Sequence, residues 1–173
     1  SVENTDNQNI GVVVGNKMSV IGVDIVAYMF MSCENLYHAF SKLSKQITIV
    51  ANSVNIVIVK ETEGFWVDLQ IEHDRGTIND QSYDSVIAWM VHLSKWVSTT
   101  NLSPIKVCLS HKKYTDDNST EDILGCPVEF NSHKTGILFS DKHFFDPIPT
   151  ANKGLAKYHE ESIVQDYVTD ESR

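Results

Sequence analysis

The chain has 173 residues, and 14 Lys plus Arg against 23 Asp plus Glu leave a formal charge of −9. That acidity argues against a nucleic-acid contact by this stretch itself, because the phosphate backbone demands a basic face. The length suits one core-forming domain, and 42% hydrophobic residues place it with globular rather than disordered chains. The longest apolar run, Val20 to Met31, covers 12 residues and contains Gly22 and Asp24. A bilayer-spanning helix needs about 20, so no membrane partner is expected. Three widely spaced cysteines (Cys33, Cys108, Cys126) without a C-x-x-C pair fit a reducing, cytoplasmic setting. The first residue is Ser rather than Met, which leads us to expect a piece trimmed from a longer protein.

Residues 1–9 are polar and read as a flexible arm, leaving 10–169 as a single domain. Ile10 to Val14 read as an edge strand, and Val20 to Met31 as a buried helix. Ser32 is placed as the N-cap of the next helix, with Glu34 in its first turn. There Leu36, Phe40, Leu43, Ile47 and Val50 recur at steps of 4, 3, 4 and 3, giving one apolar stripe. Val54 to Val59 is β-branched and strand-like. After a turn at Gly64, Phe65, Val67, Leu69 and Ile71 alternate with Trp66, Asp68 and Gln70, which marks a hairpin. His73 to Asp80 is a polar loop.

Tyr83 to Val97 is an apolar helix, and Ile105, Val107 and Leu109 alternate on a further strand. Thr120 is expected to cap a single turn ending at Gly125. Pro127–Phe130 and Gly136–Phe139 form two short strands. Asp146-Pro-Ile-Pro149 makes an extended corner, since the residue before each Pro is pushed out of the α region. Asn152 opens a last helix running towards Val168. The order α-α-β-β-α-β-(α)-β-β-α predicts an α+β fold with a mainly antiparallel sheet.

No catalytic pattern is present: there is no phosphate loop, no H-E-x-x-H, no G-x-S-x-G and no zinc-finger spacing, and the seven histidines are scattered. The chain therefore reads as a non-enzyme without metal or other cofactor. Cys108 alternates with apolar residues and reads as a small packed hydrophobe. Two features point to ligand binding. The helix Tyr83 to Val97 carries a second apolar stripe of Trp89, His92 and Trp96, suited to a core, a ligand wall or a dimer face. Tyr28 and Tyr37 on the early helices, with Trp66 on the off-face of the hairpin, are aromatics with polar tips of the kind that line small-molecule pockets. An alternative reading is a stand-alone enzyme or haem-type sensor with an apolar pocket around His92.

One stretch carries a more specific signal. Leu124-Gly-Cys-Pro-Val-Glu-Phe130, then Ile137-Leu-Phe139, then Pro147-Ile-Pro149 resembles the N-terminal effector domain of AraC-type transcriptional regulators. That family shows Phe-Gly-x-Pro-Val-x-Phe, a Leu-x-Phe strand, a Pro-Leu-Pro corner and an Asp/Asn-led helix. Gly125, Pro127, Val128, Phe130, Phe139, Pro147 and Pro149 match, and Asn152 and Leu155 follow suitably. Ile21 to Tyr28 and Leu36 to Leu43 are similar to the family's apolar helix and its Ala-x-x-x-Leu helix. Departures are Leu124 for the usual Phe, Thr135-Gly136 for a usual Asn and its neighbour, and a shortened start.

The resemblance implies a small-molecule-sensing, dimerising half of a bacterial transcription activator. DNA would be read only by a helix-turn-helix segment expected after residue 173. The resemblance does not imply arabinose, because the regulator that binds arabinose uses a cupin-type barrel unlike this helix-rich order. These motif residues are structural: Pro127 can open a short strand without needing a donor, and the two Pro residues fix a corner.

Overall fold

Among the described residues, two apolar helices joined by a tight corner precede the sheet. In this computed structural model the described residues are 11–12, 24–50, 54–72 and 80–170. The first helix, α1 (Asp24–Ser32), matches the C-terminal part of the apolar run, and α2 (Leu36–Val50) carries the predicted stripe. Leu36, Phe40 and Leu43 are buried as that periodicity requires.

The junction differs from the sequence reading. Ser32 closes α1 instead of capping α2, because its hydroxyl donates back to the Tyr28 carbonyl at 2.8 Å. Asn35 is the cap: its Oδ1 accepts the His38 N–H at 2.9 Å. Of the expected edge strand Ile10–Val14, only Gly11 and Val12 are described, and both are helical. The Gly11 N–H donates to Gln81 Oε1 at 2.5 Å and its carbonyl accepts from Ser85 Oγ at 3.0 Å, so side chains of another helix take the backbone bonds a strand would need. The expected arm at 1–9 and loop at 73–79 lie outside the described residues.

Strands β1 (Val54–Lys60) and β2 (Phe65–Ile71) form the predicted antiparallel hairpin, with Ile56 opposite Leu69. Helix α3 (Asp80–Val97) follows, starting three residues before the predicted Tyr83. Then come β3 (Lys106–Cys108), α4 (Ser119–Leu124), β4 (Val128–Glu129), β5 (Gly136–Phe139), α5 (Asp141–Phe145) and α6 (Lys153–Asp170). The sheet order is β1-β2-β5-β3-β4, antiparallel except for the β3–β4 pair. The expected α+β class and largely antiparallel sheet are therefore observed.

Three details depart from expectation. Thr120 is buried inside α4 rather than capping it, and Asn118 precedes the helix without a side-chain cap. Ile105 lies just outside β3 and is 36% exposed, whereas Val107 and Leu109 are buried as predicted. Helix α5 was not expected. Five residues are too few to show a period, and it rests on Ser140, whose hydroxyl accepts the His143 N–H at 3.2 Å.

One face of the sheet holds Ile56, Val67, Leu69, Val107, Ile137 and Phe139, and the helices bury it in a single apolar core. The other face carries a small separate cluster of Trp66, Cys108 and Leu138. The motif residues act here as scaffold. Gly125 ends α4 in the left-handed conformation (φ 67°), with its N–H on the Glu121 carbonyl at 2.7 Å. The Pro127 carbonyl accepts Val107 N–H at 2.9 Å, which starts the parallel pairing of Val128 with Val107.

Gly64 sits where the hairpin turn meets β5. A Cβ on it would stand 2.0 Å from the Phe139 carbonyl oxygen, at a φ of +157°. No side-chain adjustment relieves a clash with backbone, so Gly64→Ala must separate β2 from β5. The expected loss is on the order of 3 kcal/mol, read as a lower urea midpoint. An unchanged midpoint would show that the two strands need not approach this closely.

Candidate functional site

The corner after β5 builds the concavity nearest the two early helices. The chain is extended at Asp146 before Pro147, but Pro149 and Thr150 form a turn closed by the Ala151 N–H on the Ile148 carbonyl at 3.1 Å, and the segment between β5 and α6 docks on the α1–α2 turn. Ile148 N–H donates to the Glu34 carbonyl at 2.9 Å, and Asn152 N–H donates to the Ser32 carbonyl at 2.8 Å. The Thr150 hydroxyl donates to the Met31 carbonyl at 2.5 Å. Carbonyls at the end of α1 are satisfied in this way, and α6 is launched alongside it. Asn152 caps α6 as predicted, its Oδ1 accepting the Leu155 N–H at 3.1 Å.

Between the turn and α6 lies a groove of about 180 Å³, lined by Ser32, Cys33, Glu34, His38, Lys42, Lys153 and Ala156. Its walls carry both signs of charge. Glu34 binds Lys153 Nζ at 2.9 Å and faces His38 Nδ1 at 3.2 Å. The hydrogen bond and charge of Lys153 hold the Glu34 carboxyl below the usual carboxylate range, and the same contact raises Lys153. On the other side Lys42 is ion-paired with Glu160, whose backbone carbonyl also accepts from Gln46 Nε2 at 3.2 Å. Cys33 forms part of the lining, and burial pushes its thiol up to about 11. A protonated thiol is a poor nucleophile, so Cys33 acts here as a packed part of the wall.

The six aromatic and histidine candidates do not converge on this groove. Tyr28 is exposed on α1, with its ring 5.9 Å from that of His159 on α6. Tyr37 belongs to an aromatic cluster, 6.0 Å from Phe65 and 5.3 Å from Phe145. Trp66 is buried on the opposite face of the sheet, with Lys134 Nζ 3.9 Å from its ring centroid. Trp89, His92 and Trp96 follow one flank of α3, and Trp89 packs against the main core with its indole Nε1 buried. Trp89 and His92 are half-buried there, and Trp96 is 42% exposed. Cys108 is buried beside Trp66, and burial raises its thiol, in keeping with a packed small hydrophobe.

Sequence reasoning singled out neither Glu34, Lys42 and Lys153 nor the buried His111–Asp84 pair. Nε2 of His111 lies 2.7 Å from Asp84 Oδ1, and their side chains are 6% and 1% exposed. The available signal was Asp84, an acidic residue three and four positions before the buried Ile87 and Ala88 on the core-facing side of the helix.

The chain is matched by known proteins in sequence and in fold. The family described as the arabinose-binding domain of AraC transcription regulator, N-terminal, matches residues 1–148. The chain belongs to this family. The fold of this AraC-type domain is also similar to the crystal structure of the transcriptional regulator CdpR from Pseudomonas aeruginosa, with a TM-score of 0.74 at 11% identity. That likeness covers 95% of this chain but 56% of the CdpR chain, so the AraC-type domain spans little more than half of that structure. No protein of curated function matches the sequence. No helix among the described residues is long and apolar enough to cross a membrane.

Proposed function

We propose that this chain is the effector-sensing and dimerising part of a bacterial, cytoplasmic transcription activator, and that DNA is read by a separate helix-turn-helix segment. The family match over residues 1–148 carries this reading. A charge of −9 supports the division of labour, since the phosphate contacts would fall to a more basic segment. The effector would bias two arrangements of the regulator, and it can do so only through a difference in its affinity for them. The groove beside Cys33, with Lys42, Lys153 and His38 set against Glu34 and Glu160, fits a small polar effector bearing charges of both signs. Such a ligand can meet each wall with its opposite charge.

A thermal-shift screen of amino acids, organic acids and amines tests this. A ligand at 100 times its Kd adds about 2.7 kcal/mol to apparent stability. The shift should disappear in Lys153→Ala, whose side chain is highly exposed, so its loss is expected to leave the fold intact. A shift that survives Lys153→Ala but is lost in Trp96→Ala would move the effector site to the α3 face. Tight, sequence-specific DNA binding by the 173-residue chain alone would overturn the reading. Sedimentation at micromolar concentration tests the homodimer.

A further inference from the structure

We propose that the His111–Asp84 pair is a proton-operated latch, closed while the imidazole carries both its protons and opened when it loses one. The latch joins two parts of the fold distant in sequence. His111 lies just after β3, in the loop leading to α4, and Asp84 lies in the N-terminal half of α3. Both ring nitrogens face oxygens that can only accept: Nε2 meets Asp84 Oδ1 at 2.7 Å, and Nδ1 meets the Lys112 carbonyl at 2.8 Å. A doubly protonated ring satisfies both. A neutral ring has one donor, so one nitrogen lone pair must then point at an oxygen lone pair. The pair is shut away from water, and the Asp84 charge would lose its counter-ion in a place where hydration cannot replace it.

Every element around the ring contributes. From α3, Asp84 binds it and Asp80 acts on it through charge. From its own loop, Tyr114 stacks on it with centroids 4.6 Å apart. Phe130, after β4, meets it edge-on at 5.9 Å, and Lys113, ion-paired with Glu121 of α4, lies over Phe130. Burial alone lowers the pKa of His111. The hydrogen bonds to Asp84 and the Lys112 carbonyl, with the charges of Asp84 and Asp80, outweigh it, and the net direction is up. The latch is therefore closed at low pH and opens as pH rises. Gln81 and Ser85, which hold the Gly11 turn, stand on the same part of α3. Opening thus loosens the β3–α4 loop at a surface shared with the N-terminal segment, whichever effector the protein binds.

The test is an NMR titration of the 173-residue chain from pH 5 to 10, following the His111 ring and amide exchange together. The ring should titrate above about 6.5, the ordinary histidine value. Over the same range the protection of the Asn131 amide, which donates to the His111 carbonyl, should fall on the order of tenfold beyond the intrinsic pH effect. Asp84→Asn should move both transitions to lower pH together. If that variant does not fold, the titration of the native chain decides alone. A ring that titrates at or below about 6.5, or loop protection that ignores the ring's titration, overturns the latch.

Discussion

Phe144→Ala should destabilise the fold by about 3–5 kcal/mol, the range for deleting a fully buried aromatic side chain. Phe144 is 0% exposed and belongs to α5, a helix of only five residues. Its ring stacks on Phe65 at 5.0 Å, Phe139 at 5.6 Å and Phe40 at 6.0 Å, and meets Tyr37 edge-on at 6.1 Å. One side chain thus ties α2, β2 and β5 to the segment that carries the Pro corner. A smaller residue leaves a cavity walled by three elements besides its own, so local collapse cannot close it. Its neighbour supplies the control. Phe145 is 46% exposed, and Phe145→Ala should cost about 1 kcal/mol or less. Urea unfolding of both variants measures the difference. If Phe144→Ala lies within 1 kcal/mol of Phe145→Ala, the cluster is not the hub that its geometry describes.

The elements that a sequence discloses are those whose pattern is local. The β2 alternation is reproduced in its faces, Phe65, Val67 and Leu69 joining the main core and Trp66 the cluster on the other side, because a pleated strand sends neighbours to opposite faces. The α2 stripe and the Gly125 cap are local too. Sites are different, because they join residues far apart along the chain. Glu34 and Lys153 meet only because the corner at Pro147 and Pro149 folds back onto the α1–α2 turn, and nothing at residue 34 announces residue 153. Aromatic content does not locate a site for a related reason. It reports how much apolar surface a residue can bury and not where it does so. Tyr37 is therefore spent on a Phe cluster and Trp66 on the outer face of the sheet. The Pro-Val-Phe motif identified the family through its scaffold residues, which explains why it placed no ligand.

Asp84→Ala alone should cost about 3–5 kcal/mol at pH 6, because removing one partner leaves a buried imidazolium uncompensated. The loss should shrink with pH. The folded-state pKa of His111 lies above its ordinary value. Stabilisation from the pair is therefore complete below about 6.5 and fades as pH rises through the higher folded value. Above that value the native protein has already lost the contribution that the variant lacks. The charge part of the His111→Ala cost should fade over the same range, leaving at pH 9 only the lost packing and the one hydrogen bond a neutral ring can donate. Joining the two changes separates a latch from mere packing. The apolar pair Asp84→Leu with His111→Phe removes both charges and retains volume, and such replacements are commonly neutral or stabilising. The double variant should thus be far more stable than the sum of the two alanine losses allows, and its stability should lose the pH dependence that His111 contributes. Urea midpoints at pH 6 and pH 9 decide the matter. In the closed cycle with Asp84→Ala/His111→Ala, additive losses would mean that the two side chains act independently, whereas coupling of about 0.5–3 kcal/mol is the usual range for residues in one buried network.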